Sequence, residues 1–345
     1  MWHSYYKIHD LLDIEISGED DYKKGKDLRH AYFKTDKAYD PDIRLYMGKF
    51  EPDNRDCQEV SHRYQVKNNY LYCAFSSWKA IWKMEIRGFE AGKVDINFHG
   101  RSRQLKGLLF PSFLPQDILI PVIEQKLMQN NYLLIHGGAL TRDEQSAYIF
   151  IGRRGAMKST IIINLLRNGY QLIGDDRFII TDDKILSFPI SPFLISYGLD
   201  NMATEARSLK DNICIVKNMM QENKTYDLPV INSSAPKAIF FVERKERQGT
   251  KISKLSRAEA TRKIILNNML EMNISSPETP AGYYLQFMKA YSFIFPNSRI
   301  ASYWDDFYMM LGKYLQSIPC FSLEIPLRYD STVQQRIELL IENFK

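Results

Sequence analysis

Three short stretches carry side chains that could do chemistry together: "GRRGAMKST" at residues 152–160, the acid pair Asp175 and Asp176 in "LIGDD", and His136 in "LLIHGGAL". The first has two glycines, a lysine and then two hydroxyl residues. A tight loop entering a helix leaves the first helical N–H groups without partners, and with the helix dipole they form an anion site. The usual phosphate-gripping pattern is G-x-x-x-x-G-K-[ST]. Gly152 takes its first position, Lys158 the lysine and Ser159 the hydroxyl, with Gly155 an additional loop glycine. Lys158 is then expected to reach the outer phosphates of a nucleotide and Ser159 to ligate Mg²⁺.

Met157 stands where the pattern has its second glycine. That position often takes a left-handed φ, which costs a residue with a Cβ about 1–2 kcal/mol. The backbone N–H survives the substitution, so the loop is still expected to form. Asp175 and Asp176 close an apolar run and so fall at the carboxyl edge of a sheet, where α/β proteins place ligands. One acid can hold the metal and the other can take a proton from an attacking hydroxyl. His136 ends a neighbouring run and could face the same edge, as a site residue or as a satisfied structural histidine.

The elements that position these residues follow from periodicity. "AYIFIG" reads as a buried strand and "STIIINLLRNGY" as a helix closed by Gly169. "QLIGDD" follows, then "RFIIT" and "KILSF", giving the order of a βαβ unit. "YLLIHGGAL" reads as another buried strand, and residues 114–131 as an amphipathic helix stopping at Asn130 and Asn131. Further on, Lys237 to Glu243 is expected to be a central strand. Residues 256–270 read as a helix opened by a capping box of Ser256 and Glu259. Helices are expected at 281–293 and 302–316, then a late strand "CFSLEIP" and a closing helix "STVQQRIELLIENF". Residues 190–235 read as loops and an insertion.

Residues 1–112 look different. Tyrosines, short alternations and turn residues suggest a β-rich accessory domain, with "HRYQVKNNYLYCAFSS" forming two strands around Asn68 and Asn69 and "KVDINFHG" a third. His3, His9, His30, His62 and His99 lie there at unrelated spacings, as surface histidines rather than metal ligands would. The chain has 345 residues, 45% hydrophobic and 25% charged, with a net charge of +5. This is the composition of a globular protein of one or two domains. No basic run with interleaved aromatics suggests nucleic acid. No apolar run is long enough to cross a bilayer, and the start lacks a secretory layout, so a cytoplasmic protein is expected. Cys57, Cys73, Cys214 and Cys320 form no C-x-x-C pair. Homo-oligomerisation stays open.

Taken together, "LLIHGGAL…AYIFIGRRGAMKSTIIINLLRNGYQLIGDDRFII" resembles the catalytic core of the HPr kinase/phosphorylase family, and "LIGDD" also resembles the second kinase motif of ATP-dependent phosphoenolpyruvate carboxykinase, which shares the fold. The resemblance is strong over residues 133–181 and extends in outline over 115–345. It implies an α/β chain with a phosphate-loop kinase domain of that type at 113–345 behind the β-rich domain. The implied activity is ATP- and Mg²⁺-dependent transfer of the γ-phosphoryl group to a hydroxyl, a serine of a peptide or protein or a small alcohol. Gly152, Arg153, Arg154, Gly155, Ala156, Met157, Lys158, Ser159 and Thr160 would cradle the nucleotide. Asp175 would act as base, Asp176 would share the metal with Ser159, and His136 would lie beside the transferred group; the two aspartates could also exchange roles. Met157 and the segment "ISPFLISYGLDN", which replaces a glutamate-bearing family signature, depart from the pattern. They suit the alternative, a catalytically inactive nucleotide-binding module that organises a partner interaction. Arg244, after a central strand, could stabilise phosphoryl charge or simply lie on the surface.

Overall fold

The computed structural model describes residues 1–25, 30–37, 40–90, 92–109, 111–189, 230–246, 249–273, 279–329 and 331–343. Most of the expected insertion at 190–235, with "ISPFLISYGLDN" and Cys214, lies outside the described residues. The chain is a mixed α/β structure with two large mixed sheets. They belong to two compact units, Met1–Asn130 with Met272–Asp306, and Asn131–Glu271 with Phe307–Lys345. Both units are therefore discontinuous in sequence.

The first sheet contains β1 (Trp2–Ile8), β2 (Leu12–Gly18), β3 (Lys34–Thr35), β4 (Ile43–Met47), β5 (Gln58–Val60), β6 (Tyr64–Lys67), β7 (Tyr70–Ser76), β8 (Ala80–Arg87) and β9 (Val94–Ser102), in the order β3-β1-β2-β4-β9-β8-β7-β6-β5. Alternation sets its faces: Leu12, Ile14 and Ile16 of β2 and Ile43, Leu45 and Met47 of β4 point inward, every second residue. The turn at Asn68 and Asn69 joins β6 to β7 as expected, Asn69 taking φ 60°, a conformation asparagine tolerates. A short helix α1 (Leu105–Leu109) follows, then α2 (Leu119–Gln129), which ends at Asn130 with Asn131 at φ 64°. His30 is buried edge-on to Tyr6, which corrects its reading as a surface residue.

The second sheet contains β10 (Leu133–His136), β11 (Gly138–Thr141), β12 (Ser146–Ile151), β13 (Gln171–Gly174), β14 (Arg177–Ile180), β15 (Ile185–Phe188) and β16 (Ser233–Lys245), in the order β10-β14-β15-β16-β12-β11-β13. β17 (Lys251–Lys254) and β18 (Cys320–Pro326) continue it, β18 beside β16. "YLLIHGGAL" is two strands rather than one. It breaks at Gly137, where a Cβ would stand 3.0 Å from the Phe150 carbonyl oxygen, and the halves pair differently, β10 with β14 and β11 with β12 and β13. α3 (Lys158–Arg167) connects β12 to β13; these run parallel, as a βαβ unit requires, with β11 lying antiparallel between them.

Among the described residues the remaining α-helices are α4 (Arg257–Asn273), α5 (Pro280–Ile294), α6 (Tyr303–Tyr314) and α7 (Ser331–Glu342). α5 serves the first unit, where its Tyr283, Phe287 and Tyr291 pack their rings on Trp82, Tyr64 and Phe89 at centroid distances of 5.0–6.0 Å. In the second unit Ile161, Ile162 and Leu165 of α3 and Val333, Ile337 and Ile341 of α7 share one core with Phe150, Phe240 and Leu323. Fully burying such side chains contributes about 1.5–3 kcal/mol each. This core fixes where β12 ends and α3 begins, and so fixes the loop between them.

Candidate functional site

β12 is buried from Ala147 to Ile151 and leaves the sheet at Gly152. A Cβ there would lie 2.7 Å from the Val242 carbonyl oxygen, so the backbone passes β16 too closely for any other residue. The loop then turns, Ala156 N–H donating to the Arg153 carbonyl at 3.0 Å with Gly155 at φ 83°. A positive φ at the third residue is what type II turns give to glycine. Met157 follows at φ 69°, ψ 18°, left-handed as its position required. Its side chain packs on the core of the unit, and Thr160 Oγ1 donates to its Sδ at 3.6 Å. Packing and that contact offset part of the backbone strain.

Lys158 opens α3. Its ammonium donates to the Gly152 carbonyl and, at 3.5 Å, to that of Arg153, so the side chain folds back over the loop. The residue is 9% exposed. Burial pushes its pKa below the usual lysine value, while Asp176 and Glu271 draw it back up. The N–H groups of Lys158, Ser159 and Thr160 have no carbonyl four residues earlier within the helix, and the Ser159 side chain is exposed. An anion placed there meets amides, dipole and ammonium together.

Asp175 and Asp176 form the bend between β13 and β14, at the carboxyl end of β13 and hence at the same sheet edge as the end of β12. The Asp176 carbonyl accepts from Gly137 N–H at 2.9 Å, which ties the bend to the end of β10. His136 is thereby drawn in. It is 4% exposed, with Nδ1 3.6 Å from Asp176 Oδ1 and Nε2 3.6 Å from Glu271 Oε1. Both distances exceed hydrogen-bonding range, and both ring nitrogens are buried with no hydrogen-bond partner among the described residues. Burial pushes the ring pKa down to about 4; Asp176 opposes this, and Lys158 and Arg177 add to it. At neutral pH the imidazole is uncharged.

The structure therefore brings together the loop 152–157, Lys158, Asp176 and His136. It adds residues that the sequence reading missed, all on α4. The Asn268 side chain accepts from His136 N–H and donates to the Leu134 carbonyl, each at 3.0 Å, while Asn267 donates to the His136 carbonyl at 3.0 Å. Among the described residues β10 is at the edge of its sheet, and these amides satisfy its open side. Glu271, one turn beyond Asn267, has a side chain 14% exposed; burial raises its pKa, with Lys158 lowering it and Asp176 raising it. In the structure α4 buries Asn267 and Asn268 and exposes Leu266 and Leu270, the reverse of an ordinary amphipathic pattern, so nothing in the sequence marked them. Arg244 is also tied to the site, donating to the carbonyls of Gly155, at 3.4 Å, and Leu327.

A scan against protein-family models finds no match, and neither does a search of the curated proteins. Among solved structures the chain is similar to the Hpr(Ser) kinase/phosphatase from Coxiella burnetii, at 11% identity and a TM-score of 0.25, over 61% of this chain and 94% of that one. A likeness of that size carries no function with it.

The donor set suits a magnesium nucleotide on its own chemistry. Mg²⁺ asks for one or two protein oxygens and completes its shell with phosphate and water. The exposed Ser159 hydroxyl and the half-exposed Asp176 carboxylate are oxygens of that kind. Among the described residues no three His, Cys, Asp or Glu side chains form a metal-holding group, as a cage built wholly from protein would require. None of the described helices is long and apolar enough to cross a membrane.

Proposed function

We propose that this protein binds a nucleoside triphosphate with Mg²⁺ and passes its γ-phosphoryl group to a hydroxyl, a serine of a peptide or protein or a small alcohol. The observation that carries the reading is the meeting of the α3 N-terminus and its buried Lys158 with Asp176, His136 and Glu271 at the carboxyl edge of one sheet. The loop amides and Lys158 hold the phosphates and stabilise the charge that grows on the leaving diphosphate. Ser159 and Asp176 would hold Mg²⁺, which would neutralise phosphate charge. Asp175 accepts the proton of the acceptor hydroxyl as the new P–O bond forms; the bond from the γ-phosphorus to the β,γ-bridging oxygen breaks, and the nucleoside diphosphate departs. His136, neutral and enclosed, borders this reaction centre beside Asp176.

The test uses purified protein with γ-labelled ATP, Mg²⁺ and a mixture of serine peptides, alongside Lys158→Ala and Asp175→Asn. Transfer of label by the wild type that both variants lose supports the kinase. Tight nucleotide binding without transfer to any acceptor assigns the protein to the binding-module alternative. No calorimetric heat with any purine triphosphate at millimolar concentration sinks both.

A further inference from the structure

The loop 152–156 forms one wall of a cleft of about 530 Å³. Its other walls are the end of β16, from Phe241 to Arg244, and the face of α4 carrying Lys263, Leu266, Asn267 and Leu270. Leu266 and Leu270 stand four residues apart, on one helix face, 57% and 39% exposed. Nothing in the phosphate chemistry above uses them. Asn267, between them, is committed to the His136 carbonyl.

The cleft wall has a definite electrical character. Among the described residues Arg153, Arg154, Arg244 and Lys263 line it, against one acid, Glu243, which is itself paired with Lys263. An occupant that suits a cationic mouth and an apolar wall carries negative charge at one end and a flat apolar body at the other. The volume falls within the range for such ligands, 300–1,000 Å³ as an order of magnitude. Because the phosphate loop forms part of the wall, the charged end belongs at the loop and the apolar body further along α4.

We propose that this cleft is the nucleoside subsite of the bound nucleotide, with Leu266 and Leu270 packing against the base. The inference rests on the phosphate-binding reading of the loop and assigns the rest of the ligand. It makes one turn of α4 a two-faced reader: Asn267 and Asn268 hold the His136 backbone on the buried face, and Leu266 and Leu270 grip the base on the exposed one. Apolar contact of this type reads the face that all bases share, and contributes binding without much base specificity.

The experiment compares the affinities of ATP and inorganic tripolyphosphate, both with Mg²⁺, for the full chain and for the double variant Leu266→Ala, Leu270→Ala. Both leucines are exposed and alanine favours the helix, so the fold is retained, which circular dichroism checks. The wild type is expected to bind ATP more tightly than tripolyphosphate. The variant is expected to lose roughly tenfold in ATP affinity with tripolyphosphate unchanged. Equal ATP affinity in wild type and variant, with tripolyphosphate still bound, overturns the subsite and leaves the phosphate loop standing. Such a result would turn the leucines over to the acceptor. A wild type that binds neither ligand overturns the subsite and the phosphate loop together.

Discussion

The imidazole of His136 lies between two carboxylates, and the one it meets through Nε2, Glu271 at 3.6 Å, comes from a helix that follows the loop 152–157 by about a hundred residues of chain. Glu271→Gln keeps the shape and removes the charge. The expected outcome is a fall in phosphoryl transfer on the order of tenfold to a hundredfold, with ATP affinity nearly unchanged, because Glu271 positions a reacting group rather than the phosphates. Steady-state kinetics read this as a loss in kcat with KM preserved. Recovery by Glu271→Asp would mark the charge, rather than the packing, as the active ingredient.

Met157 holds a left-handed backbone, φ 69° and ψ 18°, at the entry to α3. Met157→Gly relieves about 1–2 kcal/mol of strain and gives some back in lost packing and greater freedom of the unfolded chain. A net gain below about 1 kcal/mol is expected, while nucleotide affinity stays the same. Met157→Ile, β-branched at a positive φ, is expected to cost more than 1 kcal/mol on the same basis. Chemical denaturation measures both.

His136 sets a pH dependence. Its pKa is about 4 in the folded chain and about 6.5 when unfolded, so between those values the unfolded chain binds the extra proton. Stability therefore falls as pH drops through that window and is fully present above it. Glu271, raised rather than depressed, contributes with the opposite sign. Comparing wild type with His136→Gln isolates the imidazole: the loss of stability between pH 7 and 4.5 is expected to shrink by about 2 kcal/mol in the variant. Identical pH profiles would remove the buried neutral histidine from the account.

Asn268→Ala leaves the His136 N–H and the Leu134 carbonyl of an edge strand unpaired within the protein. About 2–4 kcal/mol of stability is expected to go. Hydrogen exchange at the His136 amide should quicken more than at the buried amides of β12.

At the other end of α4, Ser256 and Glu259 cap each other reciprocally: Ser256 N–H donates to Glu259 Oε2 at 3.0 Å and Glu259 N–H to Ser256 Oγ at 3.3 Å. Ser256→Ala should cost about 1 kcal/mol. A loss confined to stability, with transfer unchanged in the folded protein, is the expected pattern, and urea titration reads it.

The readable parts of the chain were those in which one local rule decides. "AYIFI" followed by "TIIINLL" announced a buried strand and a helix, and Asn68 with Asn69 announced a turn, because period and turn chemistry are written in consecutive residues. The capping box of α4 was legible for the same reason. Other features depend on partners distant in the sequence. Gly137 splits an apolar run because Phe150 and Ile151 crowd it. The opening residues of β16, which include two serines and Pro236, read as loop, yet the strand begins at Ser233. Pro236 is tolerated there beside an irregularity in the pairing with β12. At the site, the loop, the aspartates and His136 lay close enough in sequence to be found together. Glu271, Asn267 and Asn268 did not, since "NNMLE" within a helix looks like ordinary solvated surface until its inverted exposure is seen.

The discontinuity of the first unit bears on how the chain is made. Its nine described strands leave the ribosome early, but α5, whose aromatic rings cover Trp82, Tyr64 and Phe89, emerges more than a hundred and fifty residues later. Until then that aromatic surface stays open, and everything from β10 to α4 is synthesised while it waits. A fragment stopped at residue 112 or 130 carries the same unfinished surface permanently, and is expected to aggregate when expressed on its own.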